Sequence, residues 1–178
     1  IGSYLVSKNP LPLGLGVSDN TAIRFEKADK TRTYLLTTES FQILGYFTLS
    51  IKSIDIPEGT SKTFVKKLDG INKNAKKIVG YLIGQLGKND NCSNLISGHE
   101  LLVHALNTIY ECFKLVGVKS IFVECQNNKK LVKFYTDNKF KSIGVNKNNG
   151  LLQFARITIK DKNSDYIYIF KVKIIEKI

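Results

Sequence analysis

The chain is 178 residues long, 43% hydrophobic and 24% charged, a composition that suits one globular domain with room for a real core. Its 27 Lys and Arg against 15 Asp and Glu give a net charge of +12, which suits a polyanionic partner such as nucleic acid, a phosphate-rich cofactor or a membrane surface. A membrane-spanning helix is excluded, because no apolar run approaches the roughly 18 residues required.

The lysines are scattered rather than gathered in one stripe, so compositional bias explains the charge as well as a binding surface does. No signal peptide is expected, since "IGSYLVSKNP" has neither a basic start nor a long apolar stretch. Cys92, Cys112 and Cys125 form an odd set without metal-ligand spacing. A reducing cytoplasm is therefore expected, and a metal site is not.

Residues 1–16 hold two of the three prolines plus Gly14 and Gly16 and read as an irregular lead-in. A short helix is expected next, capped by Ser18 or Asp19, with Ala22, Ile23 and Phe25 turned inward. "TRTYLLTTES" and "QILGYFTLSIKSI" follow as two strands, rich in aromatic and β-branched residues. A polar, lysine-rich connection over residues 55–76 contains a short helix at "SKTFVKKL". "KIVGYLIGQLGKND" is a strand whose Gly80, Gly84 and Gly87 mark a bulge or a close approach to the backbone.

"SGHELLVHALNTIYECFKLVG" carries the clearest helical period, through Leu101, Leu102, Ala105, Leu106, Ile109, Cys112, Phe113 and Val116, with Gly117 ending it. "VKSIFVEC" is a buried strand, "NNKKLVKFYTDN" a short helix, and "KFKSIG", "LLQFARITIK" and "SDYIYIFKVKII" are further strands. Residues 164–178 are expected to add an edge strand or a dimer contact. This order predicts a single α/β (α+β) domain over residues 1–178, with a mixed sheet and helices on both faces. Parallel pairing is forced only where the long helix crosses between "KIVGYLIGQLG" and "VKSIFVEC".

The stretch "NNKKLVKFYTDNKF" is the most informative. Each helical residue advances about 100°, so Tyr135 returns to nearly the face of Asn128, roughly 10 Å along the axis. An amide and a phenol are thus placed to read a long, thin ligand, or else Asn128 caps the helix and Tyr135 belongs to the core. The mouth of the long helix at "SGHE" offers free N–H groups and the positive end of a dipole, and Gly98 lets an anion come close.

In "YLIGQLGKND…SGHELLVHALNTI" and "VKSIFVECQNNKKLVKFYTDNKFKSIG" the chain resembles the GNAT superfamily of N-acetyltransferases, over about residues 31–158. The resemblance implies a GNAT-like, mostly antiparallel central sheet and acetyl-CoA as co-substrate. It implies that the backbone of Leu86, Gly87 and Lys88 pairs with the pantetheine arm, and that the loop "SNLISG" holds the pyrophosphate through Asn94, Ser97 and Gly98. Ser93 stands where the family has Gln or Arg, and Ile96 where it has its first glycine. Asn128 takes the family asparagine position, and Tyr135 that of the tyrosine donating a proton to the departing thiolate. Phe140 matches the family Phe. Lys139 replaces the glycine before it, with Asn138 expected to adopt the left-handed conformation instead.

The chemistry agrees with those roles. An amine attacking a thioester needs to lose its proton, and the leaving sulfur needs to gain one. An unperturbed phenol, with a pKa of about 10, is a proton donor at neutral pH. Glu124 is the base if it faces the cleft, and a paired or surface carboxylate otherwise. Glu100 reads as the far end of a Ser97-to-Glu100 capping box. His99, in the first helical turn, is placed to contact a phosphate; His104 reads as partly buried or solvated, and Cys125 as a packed core thiol.

Three functions follow. The first is acetyl-CoA-dependent N-acetylation of a primary amine on a small molecule, peptide or aminoacyl group. The second is a GNAT toxin that acetylates aminoacyl-tRNA, because "ILGYFTLS" resembles the "GYYTLA"-like strand of such toxins and +12 suits tRNA. The third is a module without catalysis that binds CoA or nucleic acid. A homodimer is compatible with each.

Overall fold

The computed structural model describes residues 24–92, 94–158 and 169–171. The lead-in, the Ser18 or Asp19 cap and Ser93 lie outside the described residues; residues 24–27 are helical. Seven strands form one sheet: β1 (Arg32–Thr37), β2 (Ile43–Asp55), β3 (Lys77–Lys88), β4 (Ser120–Cys125), β5 (Lys141–Val145), β6 (Leu152–Ile157) and β7 (Ile169–Lys171). Three helices join them: α1 (Lys62–Asp69), α2 (Gly98–Val116) and α3 (Lys129–Asp137). The spatial order is β5-β6-β4-β3-β2-β1-β7. All neighbours are antiparallel except β3 and β4, the pair that α2 connects. β7 lies at one edge of the sheet, pairing with β1 through Tyr34↔Lys171 and Leu36↔Ile169.

Alternation along the strands divides the apolar residues between the two faces. Ile121 and Val123 of β4 join a large core beneath α2 and α3, with Phe47, Ile83, Leu86, Leu101, Leu106 and Ile109. Phe122 points the other way, into a smaller core with Ile54, Ile78 and the α1 residues Val65 and Leu68. Helices therefore cover both faces, as the element order predicts. Gly80 lies where a Cβ would sit 2.3 Å from the Phe122 ring and 2.6 Å from the Ser120 carbonyl, so a glycine lets β3 approach β4. Gly117, with φ 77°, ends α2 and donates its N–H to the Phe113 carbonyl at 2.9 Å.

Candidate active site

Strands β3 and β4 pair only from Tyr81↔Ile121 to Ile83↔Val123. Above that point each follows a different neighbour. Leu86 and Gly87 pair with Phe47 and Tyr46 of β2, while Glu124 and Cys125 pair with Gln153 and Leu152 of β6. The sheet forks there. The fork starts at Gly84, the extra residue of a bulge between the pairs Leu49↔Ile83 and Thr48↔Gln85. Beyond it, β3 no longer pairs with β4, and an extended ligand adding to a sheet uses a strand edge of this kind. Ligands of open α/β sheets bind outside the carboxyl ends of strands where connections diverge, and this fork is such a place.

Each prong leads into a helix mouth. Ser97 caps α2: its Oγ accepts from the Glu100 N–H at 3.1 Å, and the Ser97 N–H donates to Glu100 Oε2 at 2.6 Å. The capping box is thus observed, and the bonds to Ser97 hold Glu100 below the usual carboxylate range. The Gly98 and His99 N–H groups, in the first turn, have no intrahelical acceptor and point out of the mouth. Ile96, 2% exposed, plugs the approach loop into the core, whereas Asn94 is exposed. The apolar anchor fixes the loop by burial. At the second mouth Asn128 caps α3, its Oδ1 accepting from the Lys130 N–H at 2.8 Å.

The two helices are strapped together. His99 Nδ1 and Asn138 Oδ1 lie 2.6 Å apart, and Asn138 Nδ2 donates to the Phe134 carbonyl at 2.8 Å. The expected left-handed Asn138 is corrected: its φ is −87°, and Lys139 takes φ 66° instead. The reason is the hydrogen bonding at the helix end. Lys139 N–H reaches the Thr136 carbonyl at 3.0 Å and Phe140 N–H the Tyr135 carbonyl at 3.0 Å, a Schellman closure whose left-handed residue is Lys139.

Tyr135 is fully buried. Its ring meets Phe134, Phe140 and Phe154 at centroid distances of 5.2, 5.6 and 5.9 Å. Leu86 is fully buried too, and Gly87 lies under the Tyr46 ring. Cys125 is a packed thiol whose burial raises its pKa to about 11, too weakly acidic for a nucleophile at neutral pH. His104 is buried, and burial depresses its pKa. Among the described residues no cluster of His, Cys, Asp and Glu is arranged to hold a metal. No described helix is long and apolar enough to cross a membrane.

Glu124 is 2% exposed and lies on the face opposite α2 and α3, one residue past the last β3–β4 pair. The carboxylate is paired and hydrogen-bonded. Lys52 Nζ donates to both oxygens at 3.1 Å, and Asn146 Nδ2 and Gln153 Nε2 each donate to Oε1 at 2.8 Å. Burial pushes its pKa up, but these bonds and the Lys52 charge outweigh burial and hold it below the usual range. Lys52, Asn146 and Gln153 escaped the sequence reading. A signal existed for Lys52 alone, a lysine at the same strand parity as Thr48 and Ile54, both buried.

No family model matches the chain and no curated protein matches it. Solved structures do. The structure of AtaT complexed with acetyl-methionyl-tRNAfMet superimposes with a TM-score of 0.60 at 27% identity, over 80% of this chain and 78% of that one. The chain has the GNAT fold of an N-acetyltransferase. A second GNAT structure, AtaTR bound with acetyl-CoA, gives a TM-score of 0.56 at 26% identity over 80% and 78% of the two chains. A tyrosine-to-phenylalanine variant of KacT gives 0.57 over 76% and 75%, and at 23% identity shows the shared GNAT fold.

Proposed function

We propose that this chain transfers the acetyl group of acetyl-CoA to the α-amino group of an aminoacyl-tRNA. The observation that carries the reading is the fork between β3 and β4 with a helix mouth on each prong. The splayed end of β3 at Leu86, Gly87 and Lys88 suits a pantetheine amide chain, and the Gly98 and His99 N–H groups suit a pyrophosphate. In this reading Asn128, at the mouth of α3, and Asn94, on the exposed approach loop, add polar contacts to the cofactor. Similarity to AtaT, whose structure contains an acetylated methionyl-tRNA, favours an aminoacyl-tRNA over the small amines that the residues alone leave open. The net charge of +12 supports a nucleic-acid acceptor.

In this reading the amine nitrogen attacks the thioester carbonyl, the C–N bond forms and the C–S bond breaks. Tyr135 gives its hydroxyl proton to the departing sulfur, and the proton released by the amine passes to water. The test is incubation with labelled acetyl-CoA and mixed aminoacyl-tRNAs. Label in the tRNA fraction, released by mild base as an N-acetyl amino acid, is the expected result. Label on small amines alone overturns the tRNA acceptor. Acetyl-CoA binding without transfer to any amine overturns catalysis.

A further inference from the structure

Glu124 draws its partners from three separate parts of the fold. Lys52 comes from β2, Gln153 from β6, and Asn146 from the turn between β5 and β6. Asn149 Nδ2, on the same turn, adds a contact of 3.5 Å to Oε2. Two carboxylate oxygens offer about four in-plane lone-pair sites; Lys52, Asn146 and Gln153 crowd Oε1, and Lys52 with the longer Asn149 contact takes Oε2. A proton acceptor needs one of those sites facing its substrate.

A cavity of about 730 Å³ opens on this side of the sheet, lined by Lys52, Asn146, Lys147 and Gln153 and, across from them, by residues 54–58 ahead of α1. Three of the carboxylate's partners thus form the cavity wall, and Glu124 stands behind it. The same carboxylate lies one residue from the fork, on the face away from α2 and α3.

We propose that the Lys52–Glu124 pair is a positioning device, which fastens the turn over residues 146–150 and the Lys52 side chain into one rigid wall of the acceptor cavity. Glu124 acts through those groups and takes no proton. This rests on the acetyltransfer reading for the identity of the acceptor, but the fastening of the turn does not. Removing Lys52 strands the charge of Glu124, 2% exposed, whereas Lys52, 37% exposed, keeps solvent when Glu124 is removed, and removing both is milder than removing Lys52 alone. The signature of the device is therefore non-additivity.

Five proteins decide it: wild type, Glu124→Gln, Lys52→Met, the double variant and Asn146→Ala. Each is measured for aminoacyl-tRNA KM, for kcat against pH, and for the rate of tryptic cleavage after Lys147, the exposed lysine of the turn. Glu124→Gln is expected to raise the acceptor KM roughly tenfold or more, as displaced positioning groups do, and to speed cleavage at Lys147. The shape of the kcat profile stays unchanged, and the double variant recovers much of the loss seen in Lys52→Met. Asn146→Ala, half-exposed on the turn, gives the same changes with both charges kept. A hundredfold fall in kcat at unchanged KM, with the acid limb of the profile lost, overturns the proposal and makes Glu124 the base. Unchanged cleavage at Lys147 in all variants overturns it too. A wild type inert toward aminoacyl-tRNA defeats the proposed acceptor, while the cleavage rates still decide the fastening.

Discussion

Phe140 folds back onto Tyr135: its N–H donates to the Tyr135 carbonyl at 3.0 Å, and the two rings meet edge-on at a centroid distance of 5.6 Å. The closure forces the intervening turn through Lys139 at φ 66°. A left-handed residue with a Cβ costs about 1–2 kcal/mol, part of which glycine's looser unfolded chain takes back. Lys139→Gly should therefore stabilise the protein by about 0.5–1 kcal/mol and raise Tm by roughly 2 °C. Lys139→Val should lower it. A calorimetric scan that ranks Val at or above Gly would contradict this account of the helix end.

The same anchoring makes Tyr135→Phe an informative variant. The ring sits among Phe134, Phe140 and Phe154, and a phenyl ring fills that space equally well. The cost to stability should be within about 1 kcal/mol, the worth of one hydrogen bond. If the hydroxyl protonates the departing sulfur, kcat should fall about 10²–10⁴-fold while acetyl-CoA affinity stays unchanged. Calorimetric titration and steady-state rates on one preparation separate the two. Undiminished kcat would remove Tyr135 from the chemistry and leave it as a core residue.

What the sequence made legible had local signals. The α2 period, the Ser97-to-Glu100 box and the apolar run of β3 each lie within one element, and the parallel crossover follows from them. Glu124 was different. Its partners sit 72, 29, 25 and 22 residues away, and no period or spacing links a β2 lysine to a turn asparagine. The left-handed residue was misplaced by one position for a related reason. Propensity ranks Asn138 above Lys139, but the choice is made by where the last helical bonds close, and Phe140's packing against Tyr135 sets that. Glycines stood out as special without revealing how, since Gly84 serves the bulge and Gly80 serves an approach to Phe122.

That approach gives a third prediction. A methyl group at Gly80 would press on the Phe122 ring at 2.3 Å and on the Ser120 carbonyl at 2.6 Å, and the carbonyl belongs to β4 backbone. Phe122 is 1% exposed, with no free space to turn into. Gly80→Ala should cost about 1–3 kcal/mol, the range for overpacking a core. Gly87→Ala meets only the Tyr46 ring and should be milder, because that side chain can swing away. Urea midpoints read the order, and equal losses at the two sites would show that β3 shifts as a whole.

The pH dependence of stability should fall in two intervals, the upper from His104 and the lower from Glu124 together with the capping Glu100. His104 is 5% exposed and burial holds its pKa below 6.5, against an opposing pull from Glu100. The folded protein therefore refuses a proton that the unfolded chain accepts. Stability from the neutral ring is whole above the unfolded value and drains away as pH falls through it toward the lower folded pKa. Glu124 is held below 4.5 by Gln153, Asn146 and Lys52 in spite of burial. Its contribution is full above the unfolded value and drains away as pH falls from there through the folded one. Urea midpoints at pH of about 7.5, 5.5 and 3.5 separate the steps. Wild type should weaken over both intervals. His104→Leu should hold its midpoint over the first and fall with wild type over the second, whereas Lys52→Met/Glu124→Gln should show the first fall and a reduced second. An equal first-interval loss in wild type and His104→Leu would assign that step to another group.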